Sequence, residues 1–282
     1  MKHPIPTRTL ADGLIIPQIG FGTVYFKGAE GVKIINNALN NGYRLIDSAY
    51  NYENEATVGR AISQSSVPRE DIIVTSKLPG RYHDYDKAIY TIQESLYRAN
   101  LDYYDLYLIH WPNPKQDKYV EAWRALIDAQ KWGLIRSIGV SNFLPEHIER
   151  LEKETGVLPS INQIEVHPYF NNMETLQWCL DKGIQVESWS PVGRKLADDL
   201  LENKELKAIG DKYNKTISQV ILRWHIQLGS IPIPRSSSIQ HQIENKSIFD
   251  FSLTKDDMQH INQLTRPDGR IANQDPAEYE EF

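Results

Sequence analysis

Cysteine is nearly missing from this chain. Cys179 is the single one in 282 residues, which excludes an intrachain disulfide and a zinc site built on thiolates. Cys179 falls mid-helix and reads as a small buried hydrophobe. The eight histidines show no zinc-type spacing, so no metal is expected. Long apolar runs are also lacking; none approaches the roughly 18 residues that span a bilayer. The opening MKHPIPTRTL has no basic segment leading into an apolar stretch, so the expectation is a soluble, cytoplasmic protein without a signal peptide. Basic excess is absent too: 31 Lys and Arg against 37 Asp and Glu leave a formal charge of −6. A partner such as duplex nucleic acid would want the opposite sign. Linkers, low-complexity segments and short repeats are missing, and the reading is one domain over residues 1–282.

What is present is a strong alternation. Largely apolar β-type runs cover residues 44–48, 72–78, 104–110, 135–141, 161–166, 184–191 and 230–236. Helical patterns over 31–41, 84–99, 119–130, 145–154, 173–181, 203–213 and 218–228 lie between or beside them. Strands alternating with helices of this length indicate βαβ units and a parallel sheet. With the short run at 20–23 there are eight strands, the number of a (β/α)8 barrel. A doubly wound sheet would want a Gly-rich first turn with a third glycine. Gly20-Phe-Gly22-Thr-Val-Tyr25 does not supply it. The α/β barrel, a TIM barrel, is therefore preferred. Residues 7–19 predict a β-hairpin around Asp12-Gly13 that plugs the barrel bottom. Residues 266–282, with two prolines and five acids, predict a loop-like tail draped over an opening.

Active sites of such barrels lie at the C-terminal ends of the strands. Those ends carry Asp47, Ser48, Lys77, His110, Ser141, Asn142, Glu165, His167, Trp189, Ser190, Arg235 and Ser236. Asp and Lys are rarely buried without partners. Asp47 and Lys77 on neighbouring strands could be a plain ion pair, but His110 next in the ring and Tyr52 on the loop after Asp47 favour chemistry. A tyrosine hydroxyl titrates near pH 10. A lysine ammonium beside it is expected to lower that value, with Asp47 holding the lysine. His110 can orient a substrate oxygen. The group suits protonation of a carbonyl oxygen as its carbon accepts hydride, and the hydride then comes from an organic cofactor. Glu165 with Asp47 could be imagined as a glycosidase pair, about 5–10 Å apart, but that leaves Tyr52, Lys77 and Gln163 without a role. His167 reads as a hydrogen-bonded histidine behind the site, and Trp132, Trp178 and Trp224 as packing residues on helices.

The segments Asp47-Ser-Ala-Tyr-Asn-Tyr52, Lys77, Leu-Ile-His110-Trp-Pro, Ile-Gly-Val-Ser141-Asn142-Phe, Asn162-Gln163, Trp189-Ser-Pro-Val-Gly193 and Ile233-Pro-Arg235-Ser236 resemble the aldo-keto reductase superfamily. The resemblance runs from about Arg8 to the C-terminus. The size and short tail are similar to its prokaryotic, 2,5-diketogluconic acid reductase-like branch. It implies reduction of aldehydes or ketones, with 2,5-diketogluconate, methylglyoxal and other small dicarbonyls as candidates. Tyr52 would be the general acid, tuned by Lys77 and Asp47, with His110 orienting the carbonyl. For the cofactor it implies Ser141, Asn142 and Gln163 on the nicotinamide carboxamide and Trp189 stacked on the ring. Ser190, Val192, Gly193 and Arg194 would cover the pyrophosphate, and Gly22 and Thr23 would lie beside the ribose. Arg235, Ser236, Ser237, Ser238, His241, Glu244 and Asn245 would surround the adenosine end. Val24, Tyr25 and Trp111 would wall the substrate pocket.

Arg235 stands where the family usually has lysine, and His241 where arginine is common. Arg235 keeps a phosphate contact, while a mostly neutral His241 supplies less charge. NADPH is the expected cofactor, with NADH the alternative. The resemblance also implies a monomer. The other reading open at this point is a cofactor-binding regulatory or structural protein with little turnover.

Overall fold

The computed structural model describes residues 5–282. Residues 1–4, on which part of the no-leader expectation rested, lie outside the described residues. The chain starts with an antiparallel hairpin of β1 (Thr7–Thr9) and β2 (Ile15–Pro17). It continues through β3 (Phe21–Gly22), α1 (Gly28–Asn40), β4 (Leu45–Asp47), α2 (Glu55–Gln64), β5 (Ile73–Leu78), α3 (Tyr85–Ala99) and β6 (Tyr104–Ile109). Next come α4 (Tyr119–Lys131), β7 (Ile135–Ser141), α5 (Pro145–Thr155), β8 (Ile161–Glu165), α6 (Met173–Asp181) and β9 (Gln185–Trp189). The last part holds α7 (Ala197–Leu201), α8 (Lys204–Tyr213), α9 (Ile217–Leu228), β10 (Ile231–Ile233), α10 (Ile239–Lys246) and α11 (Lys255–Gln263).

Strands β3 to β10 form one parallel sheet in sequence order. It closes on itself. Gly20 N–H donates to Pro232 O and Gly22 N–H to Pro234 O, both at 3.0 Å. Proline offers no N–H in return, so only one side of this seam donates. Gly20 also lets the chains approach, because a Cβ there would sit 2.5 Å from Ile233 Cδ1. The fold is the (β/α)8 barrel expected.

The period-two rule of a strand then sorts the side chains. Leu45, Ile73, Leu106, Leu108, Ile161 and Ile231 point inward at the lower levels and form one apolar cluster. Leu10 and Ile16 of the hairpin join that cluster, so the hairpin plugs the bottom as expected. One or two steps further along β4, β5 and β8 the inward positions become Asp47, Lys77 and Gln163, and Glu187 of β9 is buried beside Gln163. The switch from apolar to polar along these strands builds a dry floor under a polar mouth. Outward faces pack on the helices, around Trp123, Trp224 and Phe143.

Helices α2, α7, α10 and α11 were not legible in the apolar periodicity. The residues of α2 include Gly59, where a Cβ would lie 1.7 Å from Ala99 O. The glycine weakens the helical pattern and is required for α2 to touch α3. In α10, Gln242 is the single fully buried residue. Trp224 is buried and donates to Asn262 Oδ1 at 2.8 Å, and Trp178 packs half-buried. Trp132 corrects the packing expectation: it is 56% exposed at the end of α4.

Candidate active site

Asp47 ends β4, and Lys77 lies one residue before the end of β5; the register of the two strands brings both inside the barrel. Lys77 is fully buried. Its Nζ donates to Asp47 Oδ1 at 2.6 Å and to Ser48 O at 2.8 Å. Tyr52 follows on a single 3-10 turn, Tyr50–Tyr52, with Lys77 Nζ 5.2 Å from its ring centroid. His110, just after β6, meets Tyr52 edge-on with ring centroids 5.9 Å apart. The four residues singled out as catalytic candidates thus come together.

Lys77 does not win the electrostatic contest over Tyr52. Burial pushes the phenol above its usual value; Lys77 pulls it down as expected, but Asp47 and Glu281 push it further up. The net shift is upward, which corrects the expected lowering. The hydroxyl therefore keeps its proton at neutral pH, the state a proton donor needs.

A cavity of about 600 Å³ opens over these groups. Asp47, Tyr52 and His110 reach it, whereas Lys77 lies beneath the floor. Of the other predicted residues, Gly22, Ser141, Asn142, Gln163, Trp189 and Ser190 line it, and Val192, Arg194 and Arg235 continue its wall. Val24, Tyr25 and Trp111 line it as well. Tyr25, Asn142, Ser190 and Arg194 all have left-handed backbones, with φ of 73°, 62°, 49° and 46°. Such strain in non-glycine residues is held in place by its surroundings and clusters at functional sites.

The remaining predicted residues fall elsewhere. Thr23 is buried and turned inward, its hydroxyl donating to Asp47 O at 2.8 Å. Gly193 lies behind the wall, against Leu200. Ser238 caps α10 by accepting the N–H of His241, and Ser236 Oγ accepts the N–H of Ser238. Ser237, His241, Glu244 and Asn245 belong to this same segment, outside the main cavity. Arg235 joins the two regions, its guanidinium 5.4 Å from the Tyr25 ring centroid.

Hydrogen bonds decide what the cavity offers a ligand. Both Gln163 amide protons are used: Nε2 donates to Asp47 Oδ1 at 2.9 Å and to Glu187 Oε2 at 2.8 Å. Its Oε1 is left as an acceptor at the cavity wall. Asn142 Oδ1 accepts from Trp189 Nε1 at 2.7 Å, and Asn142 Nδ2 donates to His110 O at 3.0 Å. Trp189, Asn142 and the His110 backbone thus form one braced unit. Glu165 is engaged elsewhere: Oε1 lies 3.0 Å from His167 Nε2 and accepts the Ile271 N–H at 2.7 Å. It anchors the tail, which leaves no glycosidase pair. Burial pushes the Cys179 thiol up to about 11, so it stays protonated and unreactive.

Residues in and beneath the cavity escaped sequence reasoning. Glu187 lies fully buried in β9 beside Gln163, below the cavity. A charge interrupting an apolar strand, the signal that drew attention to Asp47 and Lys77, was available for it too. Asn51, Gln274, Tyr279 and Glu281 line the cavity itself. The last three come from the tail, which drapes over the mouth as expected; no local pattern tells which tail residue points inward.

Burial, and then the Asp47 charge, push Glu187 up from 4.5 to about 7. The native state therefore holds a proton that the unfolded chain releases. This contribution to stability is full below about pH 4.5 and lost as pH rises through 7. Urea unfolding on both sides of neutrality checks it: wild type should lose stability towards the alkaline side, and Glu187→Gln should lose less.

Comparison with known proteins agrees with this geometry. A sequence model described as the aldo/keto reductase family matches residues 18–266. The chain is 47% identical over 278 residues to 2,5-diketo-D-gluconic acid reductase B of Corynebacterium sp. (strain SHS752001), covering 99% of each. It is 41% identical to methylglyoxal reductase DkgA of Salmonella typhimurium over 279 residues, again 99% of each. Among solved structures, a mutant of Gox0644 in complex with NADPH superposes with a TM-score of 0.92 at 37% identity, covering 99% of this chain and 100% of that one.

Proposed function

This chain belongs to the aldo/keto reductase family, and from that premise we propose that it reduces small aldehydes and ketones to alcohols with NADPH, using Tyr52 as proton donor. Membership makes it an NAD(P)H-dependent oxidoreductase. The names of the relatives, a diketogluconate reductase and a methylglyoxal reductase, support small dicarbonyls as the substrate class. The observation that carries the reading is Tyr52 beside the buried Lys77–Asp47 pair, with His110 edge-on at one cavity floor.

The residues fit the cofactor. Gln163 offers a lone acceptor to a carboxamide NH2, and Trp189 an aromatic wall for a planar ring. Arg194 and Arg235 supply positive charge along the cavity, and the serines that lead into α10 supply hydroxyl and N–H donors for phosphate. When bound, the reduced nicotinamide supplies the hydride. Tyr52 gives its proton to the carbonyl oxygen as that oxygen gains negative charge. Lys77, held by Asp47 and the Ser48 carbonyl, stabilises the phenolate left behind. His110 and Trp111 orient the carbonyl, and Val24 lines the same pocket. A monomer working in the cytoplasm belongs to the same proposal; no helix among the described residues is long and apolar enough to cross a membrane.

Arg235→Ala tests the cofactor assignment. One charge-assisted contact contributes about 1.5–3 kcal/mol, so NADPH should weaken by roughly 10- to 100-fold. NADH, without the extra phosphate, should change little. Quenching of tryptophan fluorescence by each cofactor reads both affinities, and equal losses would remove Arg235 from the phosphate site.

A further inference from the structure

Another cavity lies behind the turn that carries Tyr52. It measures about 470 Å³ and is lined by Tyr50, Asn51, Glu53, Arg81, Tyr82 and Arg98, with the buried Glu55 beneath them. The 3-10 turn Tyr50–Tyr52 is the partition between the two cavities. Tyr52 lines the main one, Tyr50 lines this one, and Asn51 borders both. None of the residues assigned to the cofactor lines it.

Aromatic rings hold its two guanidiniums in place. Arg98, in the last turn of α3, lies 3.9 Å over the Tyr50 ring and donates from Nη2 to the Tyr50 hydroxyl at 2.6 Å. Arg81, on the turn after β5, lies 4.8 Å over the Tyr82 ring and donates from Nη1 to Asn51 Oδ1 at 2.7 Å. The two rings meet edge-on, 5.7 Å apart at 79°, so the cations reach the cavity from different sides. Stacking on a ring face fixes a guanidinium without using up its N–H groups.

A guanidinium carries five N–H donors, and these two leave most of them unspent. The nearby carboxylates do not take them up. Glu53 at the rim pairs with Lys27 at 2.7 Å. Glu55 Oε1 accepts from Ser76 Oγ at 2.5 Å, and Oε2 stays 3.9 Å from Arg98 Nη1, beyond hydrogen-bond length. Arg81 pairs with no carboxylate among the described residues; its printed partner is the neutral Asn51 amide. With Lys27 cancelling Glu53, two guanidiniums face one carboxylate, and the cavity keeps a net positive charge. We propose that it is a second ligand site, which takes the phosphate group of a small phosphorylated molecule between Arg81 and Arg98. Forked donors match phosphate oxygens in pairs, and approach from two sides suits a tetrahedral group better than a flat carboxylate. The volume falls in the range of small-molecule pockets, which leaves room for the body of the ligand.

Phosphorus NMR of inorganic phosphate added to the NADPH-saturated protein tests this, with chloride holding the ionic strength fixed. NADPH keeps the Arg235 end filled, so phosphate reports on the other site. Its signal should broaden saturably with wild type. Loss of one charge-assisted contact weakens binding by roughly 10- to 100-fold, and that loss is expected in both Arg98→Met and Arg81→Gln. The two variants alter different elements, so a folding defect in one, visible in thermal unfolding without phosphate, leaves the other to decide. No saturable broadening with wild type, or equal broadening in wild type and a folded variant, would overturn the inference. Malonate displacing phosphate at an equal or lower concentration would overturn it too, because a flat dicarboxylate would then be the better fit.

Discussion

Tyr52→Phe is expected to lower kcat for carbonyl reduction by roughly 10²–10⁴-fold, the range that one positioned proton donor contributes, while NADPH affinity stays as in wild type. The change removes one oxygen and keeps the ring, so the edge contact with His110 and the packing over Lys77 survive. The upward shift of the phenol sharpens the expectation. A hydroxyl that keeps its proton in the resting site delivers it only as the substrate oxygen becomes basic, so its effect belongs to the transition state. The loss should therefore fall on kcat and kcat/KM together, with cofactor quenching unaltered. Retained turnover would remove Tyr52 from the chemistry.

Lys77→Met should damage stability as well as activity. The ammonium is fully enclosed and holds Asp47 at 2.6 Å. Deleting it leaves a buried carboxylate supported mainly by Gln163 Nε2. Breaking one side of a buried pair costs about 3–5 kcal/mol, which for a chain of this size translates to a Tm lower by roughly 6–20 °C. The double variant Asp47→Asn/Lys77→Met removes both charges and should recover much of that loss while remaining inactive. Thermal unfolding of wild type, the single variant and the double variant checks this. A single variant as stable as wild type would mean that the pair is not the enclosed unit described.

The site was legible where a charge or aromatic interrupts an apolar strand. Asp47, Lys77, His110, Gln163 and Trp189 stand at strand ends, and a barrel delivers strand ends to one mouth. Strand register then needs no further information, because the period of two turns each of them inward. Glu187 obeys the same rule and was within reach. The tail is different. Its inward residues depend on how a segment without periodicity lands on Asn113, Gly80 and Glu165, contacts more than 100 residues distant in sequence. Sequence reasoning gave the drape, and the landing required coordinates. The direction of the Tyr52 shift was likewise out of reach, since the expected lysine effect is present but smaller than the desolvation that accompanies a closed floor.

The central claim is that this cavity reduces carbonyls with NADPH. The decisive measurement is the decay of NADPH absorbance when purified protein is mixed with methylglyoxal and with a panel of other small aldehydes and diketones, run alongside Tyr52→Phe. The account predicts NADPH oxidation by wild type and its near-complete loss in the variant. NADPH binding without oxidation by any carbonyl would contradict it, and would leave a cofactor-binding protein on a reductase fold.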